Sequence, residues 1–192
     1  MKKILIYTAI IAVVVLILTG LFYCRQTGPL VSLEHNQQID ITPEQIRSIR
    51  DIGQWEFLSI ATEELVDTTR KGFFTDDHLV RIYYGTLRLG IDLQQTREGW
   101  ITTRGDTVLL QLPKIGLLDE QFIDESRTRS FHESGRWQAA DREALYHRAA
   151  LRMRRQALTP QNLHAAQLNG EEQVRKFMRA LGFEHVSIAF QQ

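Results

Sequence analysis

The sequence predicts an α+β protein: an N-terminal transmembrane helix, then a largely antiparallel sheet with two C-terminal helices packed on one face. Three observations predict it. Residues 4–24 are an uncharged apolar run, and residues 54–113 hold runs of β-branched and aromatic residues broken by turn chemistry. Residues 138–182 carry two helical patterns joined at Thr159-Pro160. Strands grouped ahead of helices, rather than alternating with them, mark the α+β class. The expected division is a transmembrane anchor at 1–24, a polar tether at 25–41 and a single domain at 42–192.

The apolar run ILIYTAIIAVVVLILTGLFYC spans about 31 Å as a helix at about 1.5 Å per residue. That matches a hydrocarbon core of roughly 30 Å. A cleaved signal has a shorter apolar stretch and small residues at its cleavage site, whereas this run ends in Leu21, Phe22 and Tyr23. The same bulky residues argue against lipid modification of Cys24. Lys2 and Lys3 precede the run and only Arg25 follows closely, so the positive-inside bias puts the N-terminus in the cytoplasm and the domain outside.

The tether RQTGPLVSLEHNQQID is polar, with a Gly-Pro pair and no lasting periodicity. Thr42-Pro43-Glu44-Gln45 then starts a helix: a Thr cap, proline at the first helical position and Gln three residues on to complete a capping box. Ile46 and Ile49 give it an apolar side, and Gly53 ends it. Strands are expected at 55–69, 78–89, 100–103 and 107–112, with 72–77 as the first connection and Arg104-Gly105-Asp106 as a hairpin turn. Leu79, Ile82 and Tyr84 crowd both faces of the second strand, as in a central strand.

Residues 114–137 are the least legible, with one or two helical turns at 117–123 and a strand at 126–131. Residues 138–158 lack Gly and Pro and are dense in helix formers. Tyr146, Ala149, Ala150, Met153 and Ala157 gather on one side of that helix, and Arg148, Arg152 and Arg155 line another. A second helix starts at Thr159-Pro160 and carries the core stripe Val174, Phe177, Met178 and Leu181, with Gly182 at its C-cap. A last strand at 185–190 alternates Val186, Ile188 and Phe190 and joins the sheet.

Charge is balanced at 23 basic and 23 acidic residues, and without Lys2 and Lys3 the remainder is slightly acidic, which argues against nucleic-acid binding. Cys24 is the only cysteine, so the domain has neither a disulfide framework nor a thiol nucleophile. The six histidines show no local metal-ligand spacing, and no cofactor or metal is expected. Gly85 and Gly90 have P-loop spacing, but Ile91 and Asp92 follow where Lys and Ser or Thr are required, so close strand packing explains them better.

Asp76, Asp77 and His78 form the most enzyme-like group, since carboxylates beside an imidazole can do acid–base work. Loop chemistry alone also accounts for them. Arg148, Arg152 and Arg155, with Arg142 and Arg154 nearby, form the largest local charge excess and suit an acidic partner or anionic headgroups; a solvated helix face is the plainer explanation.

The run Tyr84-Gly85-Thr86-Leu87-Arg88-Leu89-Gly90-Ile91-Asp92-Leu93, then Gly105-Asp106-Thr107-Val108 leading to Leu112-Pro113, then Leu181-Gly182-Phe183 before Val186 and Ile188, resembles domain-of-unknown-function family 4230. The resemblance implies membrane-anchored bacterial proteins of this architecture, with Gly90, Asp92 and Pro113 as signature positions, and supplies no activity. Two functions remain open. One is a non-enzymatic envelope protein whose extracytoplasmic domain, periplasmic if there is an outer membrane, binds a partner protein, a lipid surface or a wall component. The other is a membrane-tethered hydrolase using Asp76, Asp77 or His78.

Overall fold

The structure, a computed structural model, describes Thr19 and residues 41–191. Apart from Thr19 and Ile41, the expected anchor and tether lie outside the described residues. No helix among the described residues is long and apolar enough to cross a membrane.

Helix α1, Pro43–Arg50, starts as its capping box requires. The Gln45 amide donates to Thr42 Oγ1 at 3.3 Å and the Thr42 amide donates to Gln45 Oε1 at 2.9 Å. Ile49 turns inward and is buried. Strands β1, Gln54–Arg70, and β2, Asp77–Asp92, form one long antiparallel hairpin, paired from Gln54 and Asp92 at its base to Arg70 and Asp77 at its tip. At about 3.3 Å per residue the hairpin is roughly 53 Å long. It extends past the expected strand limits at both ends.

Two glycines fix how β2 is packed. A Cβ on Gly90 would stand 2.0 Å from the Trp55 carbonyl oxygen, where a bulge between Glu56 and Leu58 brings the β1 backbone close. A Cβ on Gly85 would stand 2.8 Å from the Phe122 carbonyl oxygen. The P-loop-like spacing thus marks two places where neighbouring backbone needs the room of a side chain.

β2 is the central strand, as expected. On its far side it pairs antiparallel with β5, Gly116–Leu117, and β6, Ile123–Glu133. The helical turns expected at 117–123 are absent, because this backbone is bonded to β2: the Leu118 amide donates to the Arg88 carbonyl and the Thr86 amide to the Phe122 carbonyl. A segment already paired to a strand edge has no carbonyls free for helical bonds.

Asp92 ends the hairpin by accepting from the Gln94 amide, capping a 3₁₀ turn at Leu93–Gln95. The chain then leaves the first sheet. β3, Ile101–Arg104, and β4, Thr107–Leu112, form a short antiparallel hairpin in a second sheet, completed by β7, His185–Phe190. So the single sheet expected from sequence is two, and β7 runs parallel to β4. Parallel neighbours need a long crossover; here it contains β5, β6, α2 (Ala139–Ala157) and α3 (Pro160–Ala180).

The two long helices lie in succession along β1. α2 follows the tip half, where Arg70 reaches Asp141 and Arg152 reaches Glu64. α3 follows the base half, where Asn169 donates to the Phe57 carbonyl and Trp55 Nε1 to Gln173. Each buries a separate core. Val66, Leu79, Tyr83 and Leu87 meet Leu145, Ala149 and Met153 in the tip half. Phe57, Leu89 and Ile91 meet Val108, Leu110, Val174 and Met178 in the base half.

α3 ends in a Schellman arrangement: the Phe183 amide donates to the Met178 carbonyl and the Gly182 amide to the Arg179 carbonyl, with Gly182 at φ +102. Phe183 folds back into the core beside Met178. Of the expected stripe on this helix, Val174 and Met178 are buried, while Leu181 is 39% exposed.

Candidate functional site

Asp76, Asp77 and His78 stand at the hairpin tip and do not converge. Asp76 Oδ1 accepts from the Gly72 amide at 3.2 Å, closing its own loop. The Asp77 carboxylate lies over Gly135, within 2.0–2.3 Å of where a Cβ there would stand. His78 Nδ1 is 3.1 Å from Thr69 Oγ1, and the His78 amide donates to Ser134 Oγ. Each side chain organises a different stretch of backbone, so the arrangement lacks the shared reacting point that acid–base chemistry needs.

The arginine stripe also divides. Arg148 Nη1 donates to the Asp67 carbonyl at 2.8 Å, and Arg152 Nη1 reaches Glu64 Oε1 at 3.1 Å. Gln156 holds the other Glu64 oxygen, and the Glu64 side chain is only 11% exposed. These two arginines clamp α2 to β1. Arg155 is exposed and, among the described residues, donates only to the Leu151 carbonyl of its own helix.

Two further polar groupings are present among the described residues. A cleft of about 270 Å³ between β2 and α2 is lined by Arg81, Tyr83, Arg142, Tyr146, Glu125 and Glu143. Burial pushes the Tyr83 phenol above its ordinary pKa, so it is a donor, set 3.4 Å from the Arg142 carbonyl. Arg81 Nε is buried without a partner. Two arginines face two glutamates there, and the lining has no net charge to select an ion. Asp106, Glu184 and His185 bring their ligand atoms within 4.8 Å of one another, but all three are exposed.

The feature that stands apart is apolar. Phe73 and Phe74, in the loop between β1 and β2, are 95% and 93% exposed. They touch each other edge to face, with centroids 4.9 Å apart at 84°. A Cβ on Gly72 would stand 2.1 Å from the Thr75 carbonyl oxygen, so the loop doubles back tightly and throws the two rings outward. Phe131, on β6 beside the same end of β2, is 70% exposed. At the other end of the hairpin Ile49, Ile52, Phe177 and Leu181 line a shallow apolar notch of about 280 Å³.

The sequence reading treated 72–77 as a connection and passed over Phe73 and Phe74. The signal was there to be used: paired aromatics inside a Gly- and Asp-rich turn have no strand or helix face to bury against.

No curated protein and no solved structure matches this chain. A family match covers residues 47–188, from α1 through β7, and so includes both cores and the hairpin tip. The chain belongs to the family described as Protein of unknown function (DUF4230).

Proposed function

We propose that this is a non-enzymatic, membrane-anchored envelope protein whose domain lies outside the cytoplasmic membrane, in the periplasm where there is an outer membrane, and works by binding. The observation that carries binding is the Phe73–Phe74 pair, two large apolar side chains over nine-tenths exposed at the end of a long hairpin. Exposed apolar surface that packs on nothing in its own fold marks an interaction site. Anchoring is supported by residues 4–24, uncharged and long enough to span, and the outward orientation by Lys2 and Lys3 set against Arg25 alone.

The test is fractionation of cells making the full chain with a C-terminal tag. Alkaline carbonate should leave the chain in the membrane pellet, and protease added to intact spheroplasts should remove the tag. Release into the supernatant overturns the anchor, and a protected tag overturns the orientation.

A further inference from the structure

The hairpin tip has a defined chemistry. Its acids are engaged locally, Asp76 by the Gly72 amide in an exposed loop and Asp77 over Gly135. Of its cations Arg70 is paired, but the Lys71 and Arg136 side chains have no partner among the described residues, and Arg136 is held beside the tip because its carbonyl accepts from Arg70 Nη1 at 2.9 Å. The result is a convex apex of two rings with free cations beneath it. Trp137 lies just below, with the Arg70 guanidinium stacked over its ring at 4.6 Å.

We infer that this tip is a lipid-contact element, in which Phe73 and Phe74 enter the boundary between headgroups and acyl chains while Lys71 and Arg136 meet the phosphates. Shape favours a lipid surface, because a bilayer receives a convex apex without a preformed cavity, whereas a protein partner must supply one. Rings inserted at this depth with basic side chains at headgroup level are the arrangement of interfacial membrane binding. Lys71 and Arg136 are matched by Asp76 and Asp77 in formal charge, so insertion is driven by the rings rather than by anionic lipid.

Reach permits it. The chain joins the hairpin through α1 at the base, roughly 53 Å from the tip. Residues 25–40 can span at most about 56 Å at about 3.5 Å each. One weak apolar contact gives only reversible attachment, but beside an existing span it acts at high effective concentration. The inference rests on the anchored reading for which bilayer is met, and on the tip alone for the contact.

The experiment places the photoreactive residue p-benzoylphenylalanine at position 73 of the full chain in its native membrane and weighs the adduct. A lipid adduct is expected, well above the yield from the same probe at Leu65, half-exposed on β1. Phe74→Ser should lower that yield about tenfold or more, from the loss of one buried ring, and raising the salt to 1 M, which screens the Lys71 and Arg136 contacts, should lower it far less. An adduct with a second copy, as when the tip seats in the apolar notch, overturns the inference. So does an adduct with another protein, a yield no higher than at Leu65, or a yield that Phe74→Ser leaves intact. Carbonate extraction is scored on the same sample, so release of the chain with a lipid adduct still present at position 73 sinks the anchor and not the tip.

Discussion

The two halves of the β1–β2 hairpin are built from the same pair of strands and stabilised in different ways. At the base the inner face meets α3 and also the second sheet, so Phe57, Leu89 and Ile91 are enclosed from several directions. At the tip the inner face meets α2 and Phe122, with Leu117, Ile123 and Trp137 at the margin, and polar clamps add what a thinner core lacks: Arg70 with Asp141, Arg148 with the Asp67 carbonyl, Arg152 with Glu64. The base ends in a capped helix and a shallow notch, the tip in two rings that pack on nothing else. The protein thus keeps most of its core at one end of a rigid lever and its most exposed apolar surface at the other.

That comparison can be broken with a matched pair of core truncations. Leu110→Ala in the base and Leu145→Ala in the tip each remove a fully buried side chain and should each cost about 3–4 kcal/mol. Hydrogen exchange sharpens the result. Leu145→Ala should deprotect 77–83 and 139–149 before the base, whereas Leu110→Ala should lower every region together. Equal, global loss in both variants would show that the halves are one cooperative unit.

A smaller effect is expected at the junction. Gly85→Ala puts a methyl against the Phe122 carbonyl and the Met153 methyl and should cost about 1–3 kcal/mol by overpacking, read as a lowered denaturation midpoint. Arg152→Ala should cost about 1 kcal/mol, with the loss confined to α2 and the facing part of β1 in exchange data.

Acid should separate the halves more gently. Bidentate bonding to Arg88 holds the Asp119 carboxyl below its ordinary range. A depressed folded pKa adds stability above the unfolded value, near pH 4, and that stability is lost as pH falls through the folded value. Asp119→Asn should therefore lower stability at pH 7 by under about 1 kcal/mol for so exposed a pair, and the two proteins should converge at lower pH. Smallest of all, Phe73→Ser with Phe74→Ser should change folding stability by less than about 0.5 kcal/mol. A large loss in that variant would make the rings structural and remove the contrast between the ends.

What could be read from sequence was what neighbours in sequence decide. The Thr42 and Gln45 box, the Thr159-Pro160 start and the Gly182 stop are set within a few residues, and the structure has each where it was expected. Residues 117–123 form no helical turns because their partner is β2, some thirty residues upstream. The parallel partner of β7 was out of reach for the same reason. Arg148 and Arg152 formed a charged stripe by helical spacing, and only tertiary packing turned them toward β1. The resemblance to the family was legible in Gly85 through Leu93 and Leu181 through Phe183, motifs that are local backbone solutions lying within the matched residues 47–188.

The parallel pairing of β4 with β7 also sets an order of assembly. Thr107 lies beside His185 and Leu112 beside Phe190, contacts that join residues 78 positions apart. During synthesis, N-terminus first, the hairpin and α2 can associate while the base core still lacks its last strand. Until residues 185–190 emerge, Val108, Leu110 and Leu112 present an open strand edge, the kind of surface on which nascent chains misassociate. The end of the finished protein with the larger core is thus the one that closes last, and a chaperone at the ribosome would have its longest task there.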